Sequence, residues 1–203
     1  MRTTWNFLVF VGLAIVVCAP AMASGVGFDF YSTKSDLSID DIYSGGDGDF
    51  DVERTGLSFL LDSNPLGDGV FCYRLMIGIH ETEVDLEFGT ADYEGYGLDM
   101  KHTFAWALAH NERFRVFLGP AMRIYYDQMD YEGYYDTYDM YIIGFGLGPE
   151  LGFNIGFTER VALSLAAGYT ACGSYMDWVD DDGTGEETML YLNLGMLFGS
   201  LTY

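Results

Sequence analysis

Hydrophobic and polar residues alternate with a period of two along most of this chain, in segments of about ten residues separated by turn-forming residues. The segment 189–203 shows the pattern most clearly, because tyrosine, asparagine and glycine occupy most positions between its large apolar residues. Those apolar residues are Leu190, Leu192, Leu194, Met196 and Phe198. Since side chains of a β-strand point alternately to its two faces, the segment is predicted to be a strand with one apolar face.

Eight such segments follow one another along the chain, and the first two are short. One apolar residue from each segment is Phe28, Phe59, Leu75, Trp106, Leu118, Phe145, Leu163 and Leu194. A soluble sandwich strand points its apolar face to the core and a polar face to water. Here the second face is rich in glycine and small residues, which suits the crowded interior of a narrow barrel. The pattern therefore predicts an all-β fold, an eight-stranded antiparallel transmembrane β-barrel.

The connections between the predicted strands alternate in length. Short connections are predicted at 62–69, 110–113 and 154–160, and long loops at 35–53, 81–99, 127–139 and 173–187. Short turns on one side and long loops on the other are typical of outer-membrane barrels. Tyrosines border the long loops and are predicted to form an interfacial girdle; they include Tyr125, Tyr126, Tyr141 and Tyr191. A ten-stranded barrel stays open as an alternative if a long loop contains a hairpin.

The N terminus has the pattern of a cleavable secretory signal. An apolar run from Phe7 to Cys18 is followed by Pro20 and by a small-residue triplet that ends at Ala23. This arrangement predicts a signal peptide at 1–23 and a single barrel domain at 24–203. The alternative is a retained membrane anchor, because the apolar run approaches the length of a spanning helix.

The predicted barrel resembles the small bacterial outer-membrane barrels of the OmpA/OmpX-like family. The resemblance covers essentially all of the mature chain, and Asn193, Gly195 and Phe198 are similar to the C-terminal signal that the barrel assembly machinery reads. It implies insertion by that machinery into the bacterial outer membrane, both termini in the periplasm, and contact with outer-membrane lipid and lipopolysaccharide.

Two cysteines follow the predicted signal peptide, Cys72 and Cys172. Cys72 begins one predicted strand, whereas Cys172 ends another strand that runs in the same direction. The height of the apolar band, about 25 Å, therefore separates them. Because a disulfide cannot span that distance, we expect two free thiols.

The chain is strongly acidic, with a formal net charge of −22 at pH 7. Most of its acidic residues fall in the four predicted long loops, which contain neither lysine nor arginine. A surface of this sign excludes general binding of nucleic acid and anchoring on anionic lipid, since both need basic residues.

Three interpretations of the acidic loops stay open. The loops could be a solvated crown that keeps the rim of the barrel in water. The clusters at 47–51 and 180–183 could bind Ca²⁺, although the first lacks the glycine and glutamate spacing of an EF-hand. The loops could instead bind an extracellular protein through tyrosine anchors. Those tyrosines are Tyr131, Tyr134, Tyr135 and Tyr138.

Several charged residues fall on the predicted interior face of the strands. The basic residues are Arg54, Arg74, Lys101, Arg115 and Arg123, and the candidate counter-charges are Asp29 and Glu150. Charges inside so narrow a barrel need pairing or water, because an isolated buried charge is costly. They are predicted to form a polar plug. The alternative is a narrow, gated ion path that favours cations.

The sequence contains no recognised catalytic motif. Its histidines are His80, His102 and His110, Ser164 lacks the glycines of a nucleophile elbow, and no zinc-binding H-E-x-x-H segment occurs. The prediction is a protein that is not an enzyme, has no resident cofactor, and has a structural or surface-interaction role. An enzyme that modifies lipid A is the least favoured alternative.

Overall fold

The computed structural model describes residues 25–42, 46–86, 93–132, 137–178 and 181–201. The predicted signal peptide at 1–23 lies outside these residues, so its cleavage after Ala23 stays a prediction. No helix within the described residues is long and apolar enough to cross a membrane.

Eight strands form one closed antiparallel barrel, so the predicted fold class is confirmed. The strands are β1 Gly25–Ile42, β2 Gly46–Asp62, β3 Phe71–Leu86, β4 Tyr93–His110, β5 Phe114–Glu132, β6 Thr137–Thr158, β7 Val161–Trp178 and β8 Asp181–Gly199. Each strand pairs with the next along the chain, and β1 closes the ring by pairing with β8. Gly25 of β1 faces Gly199 of β8. The described chain therefore begins and ends at one mouth, here called the near mouth.

The strands are longer than the sequence pattern predicts, at 16 to 22 residues. Most residues of the predicted long loops instead extend the hairpins at the far mouth, and Glu132 still faces Thr137 across β5 and β6. The prediction of four long loops is therefore wrong. Outward residues have no need to be apolar once a strand has passed the lipid, so alternation continues there between polar residues outside and apolar residues inside. The interior positions include Leu37, Val52, Val84 and Met129, which pack in one cluster.

The outer wall carries a band of large apolar side chains. Phe28, Leu57, Leu98 and Leu194 are each about half exposed or more, at 66%, 61%, 59% and 49% of their surface. An apolar band around a closed barrel is the arrangement that contacts lipid in transmembrane barrels.

The predicted tyrosine girdle is only partly on the outer wall. Tyr126 and Tyr141 face outward and stack, with ring centroids 6.2 Å apart. Tyr125 and Tyr191 are buried inside the barrel. The girdle prediction is therefore wrong for these two, because each belongs to the inward-facing set of its strand.

Glycines on the interior face make room for aromatic rings from neighbouring strands. A Cβ atom at Gly144 would lie 2.1 Å from Cζ of Tyr125, and one at Gly152 would lie 1.9 Å from Cζ of Phe117. Real Cβ atoms do not approach so closely. The glycines of β6 are therefore required where rings of β5 cross the interior.

The near mouth is closed by the turn between β2 and β3. Leu66 of this turn is 2% exposed and packs inside the barrel. Its cluster also contains Tyr31, Leu60, Met76, Ala162, Leu197 and Leu201. The turn and the C-terminal segment are joined by a hydrogen bond from the Leu66 amide to the carbonyl oxygen of Leu201, 3.2 Å long. An apolar layer therefore separates the interior from the solvent at this mouth.

Cys72 and Cys172 are both buried free thiols. Cys72 packs with Ala105, Phe117 and Ala166, while Cys172 belongs to the cluster toward the far mouth. The two side chains thus lie in separate parts of the interior.

Candidate functional site

The structure places every charged residue that the sequence predicted for the interior inside the barrel. Each is at most 4% exposed. These residues are Asp29, Arg54, Arg74, Lys101, Arg115, Arg123 and Glu150. They face inward because each occupies the inward parity of its strand, and most of them join one of two clusters.

The far cluster, which comprises Arg54, His80, Asp127 and Glu187, is centred on Arg54. The guanidinium of Arg54 binds two carboxylates, with Nη2 2.8 Å from Oδ2 of Asp127 and Nη1 2.6 Å from Oε1 of Glu187. All three side chains are fully buried. The ring of Tyr125 lies beside the guanidinium, with its centroid 4.4 Å from Cζ of Arg54. The charge of Arg54 is therefore compensated from two sides.

Asp127 also receives hydrogen bonds from β3. Nε2 of His80 lies 2.5 Å from Oδ1 of Asp127, and the hydroxyl of Thr82 donates to the same oxygen at 3.0 Å. The other ring nitrogen of His80, Nδ1, is 2.8 Å from the hydroxyl of Tyr31. Because both ring nitrogens are occupied and the site is buried, His80 has the environment of a structural histidine.

Arg123 and Asp99 form an ion pair. The pair lies inside the barrel, on the side of the far cluster that faces the near mouth. Cζ of Arg123 lies 5.8 Å from the ring centroids of both Tyr31 and Tyr191. Two aromatic rings thus flank this pair, which links β4 to β5.

The near cluster, which comprises Asp29, Asp62, Arg74, Lys101 and Glu150, lies closer to the near mouth. Nζ of Lys101 is 2.5 Å from Oε2 of Glu150. Nε of Arg74 is 3.3 Å from Oδ2 of Asp62, and its Nη1 is 3.7 Å from Oε1 of Glu150. Glu150 is therefore the counter-charge that the sequence predicted.

Asp29, the other predicted counter-charge, forms no direct ion pair. Neither of its carboxylate oxygens has a hydrogen bond of normal geometry, although the residue is only 1% exposed. Its expected pairing is therefore not found, because Asp62 and Glu150 already occupy the nearby basic side chains.

Arg115 forms hydrogen bonds with the turn at the near mouth instead of an ion pair with a carboxylate. Its Nη1 donates to the carbonyl oxygen of Gly67 at 3.0 Å, and its Nη2 donates to that of Val70 at 3.1 Å. Asn154 donates to the carbonyl oxygen of Pro65 at 2.9 Å. These contacts hold the turn that carries Leu66 across the mouth.

Sequence reasoning missed several members of this network. Asp99, Asp127 and Glu187 fell in predicted long loops, and Asp62 fell in a predicted short turn. A usable signal was present, because Arg123, Tyr125 and Asp127 share one parity in an unbroken alternation. Extending the strands by parity alone would have assigned Asp127 to the interior.

Buried side chains occupy the interior of the barrel at both charge clusters. A small cavity of about 10 Å³ lies beside the near cluster. A water molecule needs about that much volume, and a larger ligand needs more. The interior beside the near cluster is therefore occupied by a charge network, and this cavity has no room for a substrate.

Metal ligation finds no support within the described part of the chain, where no three histidine, cysteine or acidic side chains are placed to hold an ion. The predicted Ca²⁺ clusters at 47–51 and 180–183 lie largely outside the described side chains, as do Tyr131, Tyr134, Tyr135 and Tyr138. Calcium binding and tyrosine anchoring therefore stay predictions.

The other histidines and Ser164 are placed as follows. His102 lies on the outer parity of β4, where Nδ1 is 2.7 Å from the hydroxyl of Tyr73. His110 is exposed at the end of β4. Ser164 faces inward and accepts a hydrogen bond from Arg74 at 2.6 Å. These residues lie apart, so the structure does not assemble them into one site, and the prediction of a non-enzymatic protein stays a prediction.

No family model and no curated protein matches the sequence. Among solved structures, the barrel is similar to the outer membrane protein OprG from Pseudomonas aeruginosa, with 14% identity and a TM-score of 0.56. The match covers 87% of this chain and 96% of OprG. The fold is that of the small outer-membrane β-barrels. The resemblance stated from the sequence is thus confirmed at the level of fold.

Two further solved structures match this barrel at lower TM-scores. Neisserial surface protein A is 12% identical over 84% of this chain and 95% of its own, with a TM-score of 0.43. The attachment invasion locus protein Ail of Yersinia pestis is 14% identical over 87% of this chain and 100% of its own, with a TM-score of 0.38.

Proposed function

We propose that this barrel spans the bacterial outer membrane with a closed interior and acts at the cell surface through the acidic outer wall of its extended strands. In this proposal the near mouth, with both chain ends, faces the periplasm and the far mouth faces outward. The observation that carries the proposal is the pair of buried charge clusters across the interior, because they obstruct the interior and leave the outer surface as the accessible part of the molecule.

The acidic wall is a row of carboxylates on four neighbouring strands. Glu53, Glu83, Glu94 and Asp130 face one another in register across β2, β3, β4 and β5. All four are exposed. Like charges directly opposite each other destabilise a sheet, so local stability does not account for this row. A cationic partner would relieve the repulsion.

Lys34 supplies the basic side chain found at one end of the row. Its Nζ lies 2.7 Å from Oε1 of Glu53, and both side chains are mostly exposed. The hydrogen bond and charge of Glu53 raise the pKa of Lys34 above its usual value. Lys34 thus compensates one end of the row and leaves Glu83, Glu94 and Asp130 available to a partner.

An apolar groove runs along the wall beside these carboxylates. It is an open depression of about 750 Å³ on the outer wall. Its lining includes Phe30, Leu57, Ile79, Tyr96, Leu98 and Glu94. Tyr96 is 74% exposed, so its ring is available for contact. Leu57 and Leu98 also belong to the apolar band that contacts lipid, so the acidic row lies at the edge of that band. This arrangement favours a cationic, amphipathic partner that lies at the membrane surface, and charge of this sign would also steer its approach.

Binding of a lysine-rich amphipathic peptide to the refolded full barrel tests the proposal. We expect the wild type to bind with an affinity that falls as salt rises, and the double variant E83Q/E94Q to bind several-fold more weakly. E159Q, which removes an exposed charge at the near mouth, is the matched control and should bind like the wild type. Equal affinity of all three proteins would contradict a role for the row.

A narrow cation-favouring channel is the second candidate function. The observation that favours it is the line of polar side chains through the interior, from Asp62 to Glu187. Conductance of the refolded protein in planar bilayers separates the two functions. The closed-interior proposal predicts no reproducible open level in the wild type. An open level that changes in Glu150→Ala would instead support a gated channel.

A further inference from the structure

The buried carboxylate of Asp29 lies in the interior of the barrel without a direct ion pair. Asp29 lies on β1 opposite Gly195 of β8. A Cβ atom at Gly195 would lie 1.6 Å from Oδ1 of Asp29, so the carboxylate occupies the space that this glycine leaves open. Both oxygens of Asp29 are buried, and neither has a hydrogen bond of normal geometry. A buried carboxylate in this state is costly unless something binds it.

The carboxylate of Asp29 faces the cavity of about 10 Å³ beside the near cluster. Polar residues that line this cavity are Asp29, Arg74, Lys101, Thr103, Glu150 and Asn193. Nη1 of Arg74 and the hydroxyl oxygen of Thr103 also lack hydrogen bonds. The cavity therefore presents a donor of Arg74 whose contact with Glu150 is a long one of 3.7 Å, and acceptors of Asp29 with the Asn193 side chain beside them.

The charges around the cavity select the class of ligand. A metal ion is disfavoured, because Arg74 and Lys101 place positive charge on the lining. An anion is disfavoured, because Asp29 and Glu150 place negative charge there. An apolar molecule would leave the free polar atoms unpaired. A neutral molecule that both donates and accepts hydrogen bonds satisfies all three conditions.

The volume narrows the choice to a molecule with a single heavy atom, since about 10 Å³ corresponds to the space of one water. We infer that Asp29 and Arg74 hold one ordered water, which donates to the Asp29 carboxylate and accepts from Nη1 of Arg74. Thr103 supplies a further partner. The water joins Asp29 to the near cluster, so the carboxylate stays in the interior without a direct ion pair. This inference does not depend on the role proposed for the outer wall.

A high-resolution crystal structure of the refolded wild-type barrel tests the inference directly. We expect an ordered water within hydrogen-bond distance of the Asp29 carboxylate and of Arg74 or Thr103. A direct ion pair between Asp29 and Arg74 or Lys101, with no water between them, would overturn it.

A solution measurement provides the second test. Water-to-protein cross-relaxation in NMR spectra should detect a long-lived water near Asp29 and Thr103 in the wild type. Asp29→Asn keeps an acceptor and should retain the signal, whereas Asp29→Leu fills the cavity with apolar atoms and should lose it. Asp36→Leu, at an exposed site on the same strand, should retain it. A wild type without the signal, or an Asp29→Leu variant that keeps it, would refute the assignment.

Discussion

Arg54 of β2 and Asp127 of β5 meet across the interior of the barrel, with Nη2 and Oδ2 2.8 Å apart and no exposed surface on either side chain. These strands are not neighbours in the sheet, so the ion pair ties together parts of the wall that no backbone hydrogen bond connects.

Asp127→Ala should destabilise the barrel more than any single exposed acidic substitution. Removal of the carboxylate leaves Arg54 with one partner and His80 and Thr82 with unpaired hydrogen-bonding groups. Breaking a buried pair from one side costs about 3–5 kcal/mol. Urea unfolding in lipid vesicles measures the loss.

Asp130→Ala is the control for that substitution, because Asp130 lies three residues further along the same strand, on its outward face, and is exposed. Its effect should stay within about 0.5 kcal/mol. Similar unfolding midpoints for the two variants would mean that Asp127 contributes no more than a surface charge.

Gly144→Ala should destabilise the barrel by about 1–3 kcal/mol, because the new methyl group would overlap the ring of Tyr125. The fraction that refolds, read from the heat-dependent shift of the folded band on a gel, reports the change. Gly173→Ala is the matched control, since a Cβ there meets nothing within 4 Å. A refolding loss in Gly173→Ala as large as in Gly144→Ala would argue against ring contact as the cause.

Leu66→Ala should weaken the closure of the near mouth. The substitution removes a side chain that is 2% exposed from a cluster of apolar residues, and deletions of this kind cost about 2–5 kcal/mol. Chemical unfolding of the refolded protein measures the loss. Val70→Ala changes a residue of the same turn that is 60% exposed, and it should unfold close to the wild type. The reverse order of stability would show that Leu66 does not seal the mouth.

Lys34 should titrate at higher pH in the wild type than in Glu53→Gln. Glu53 stabilises the charged form of Lys34, so its pKa is raised in the folded protein. The stabilisation is present below the usual lysine pKa and is lost as the pH rises through the raised value. NMR chemical shifts of the lysine side chain, followed against pH, measure the difference. An unchanged Lys34 pKa in Glu53→Gln would show that the two side chains do not pair in solution.

Much of the wall could be predicted from the sequence, because strand periodicity is a local property. Leu192 and Leu194 alternate with Tyr191 and Asn193, and the structure places the leucines outside and the other two inside. The same parity placed Arg54 and Glu150 inside. Beyond the apolar band, as at Glu81 and Glu83, the outward residues become polar. A search for apolar alternation therefore ends the predicted strand too early.

The partners inside the barrel could not be predicted in the same way. Parity assigns a residue to a face, but it does not give the height at which two distant strands meet. Asp29 and Glu150 were equally good counter-charges by parity, yet only Glu150 lies close enough to Lys101 for an ion pair.

By itself the sequence determined that this protein is a closed barrel of alternating strands, since the period of side-chain direction is a property of each strand alone. It also determined the inward face of the charges that lie within the apolar alternation, such as Arg54 and Glu150. Only the tertiary structure decided that Arg54 binds Asp127 and Glu187, that Leu66 closes the near mouth, and that Asp29 stays without a direct ion pair. Those contacts depend on the register of the strand pairs that lie between two residues around the ring. A shift of register at any of these pairs would change the height at which distant residues meet.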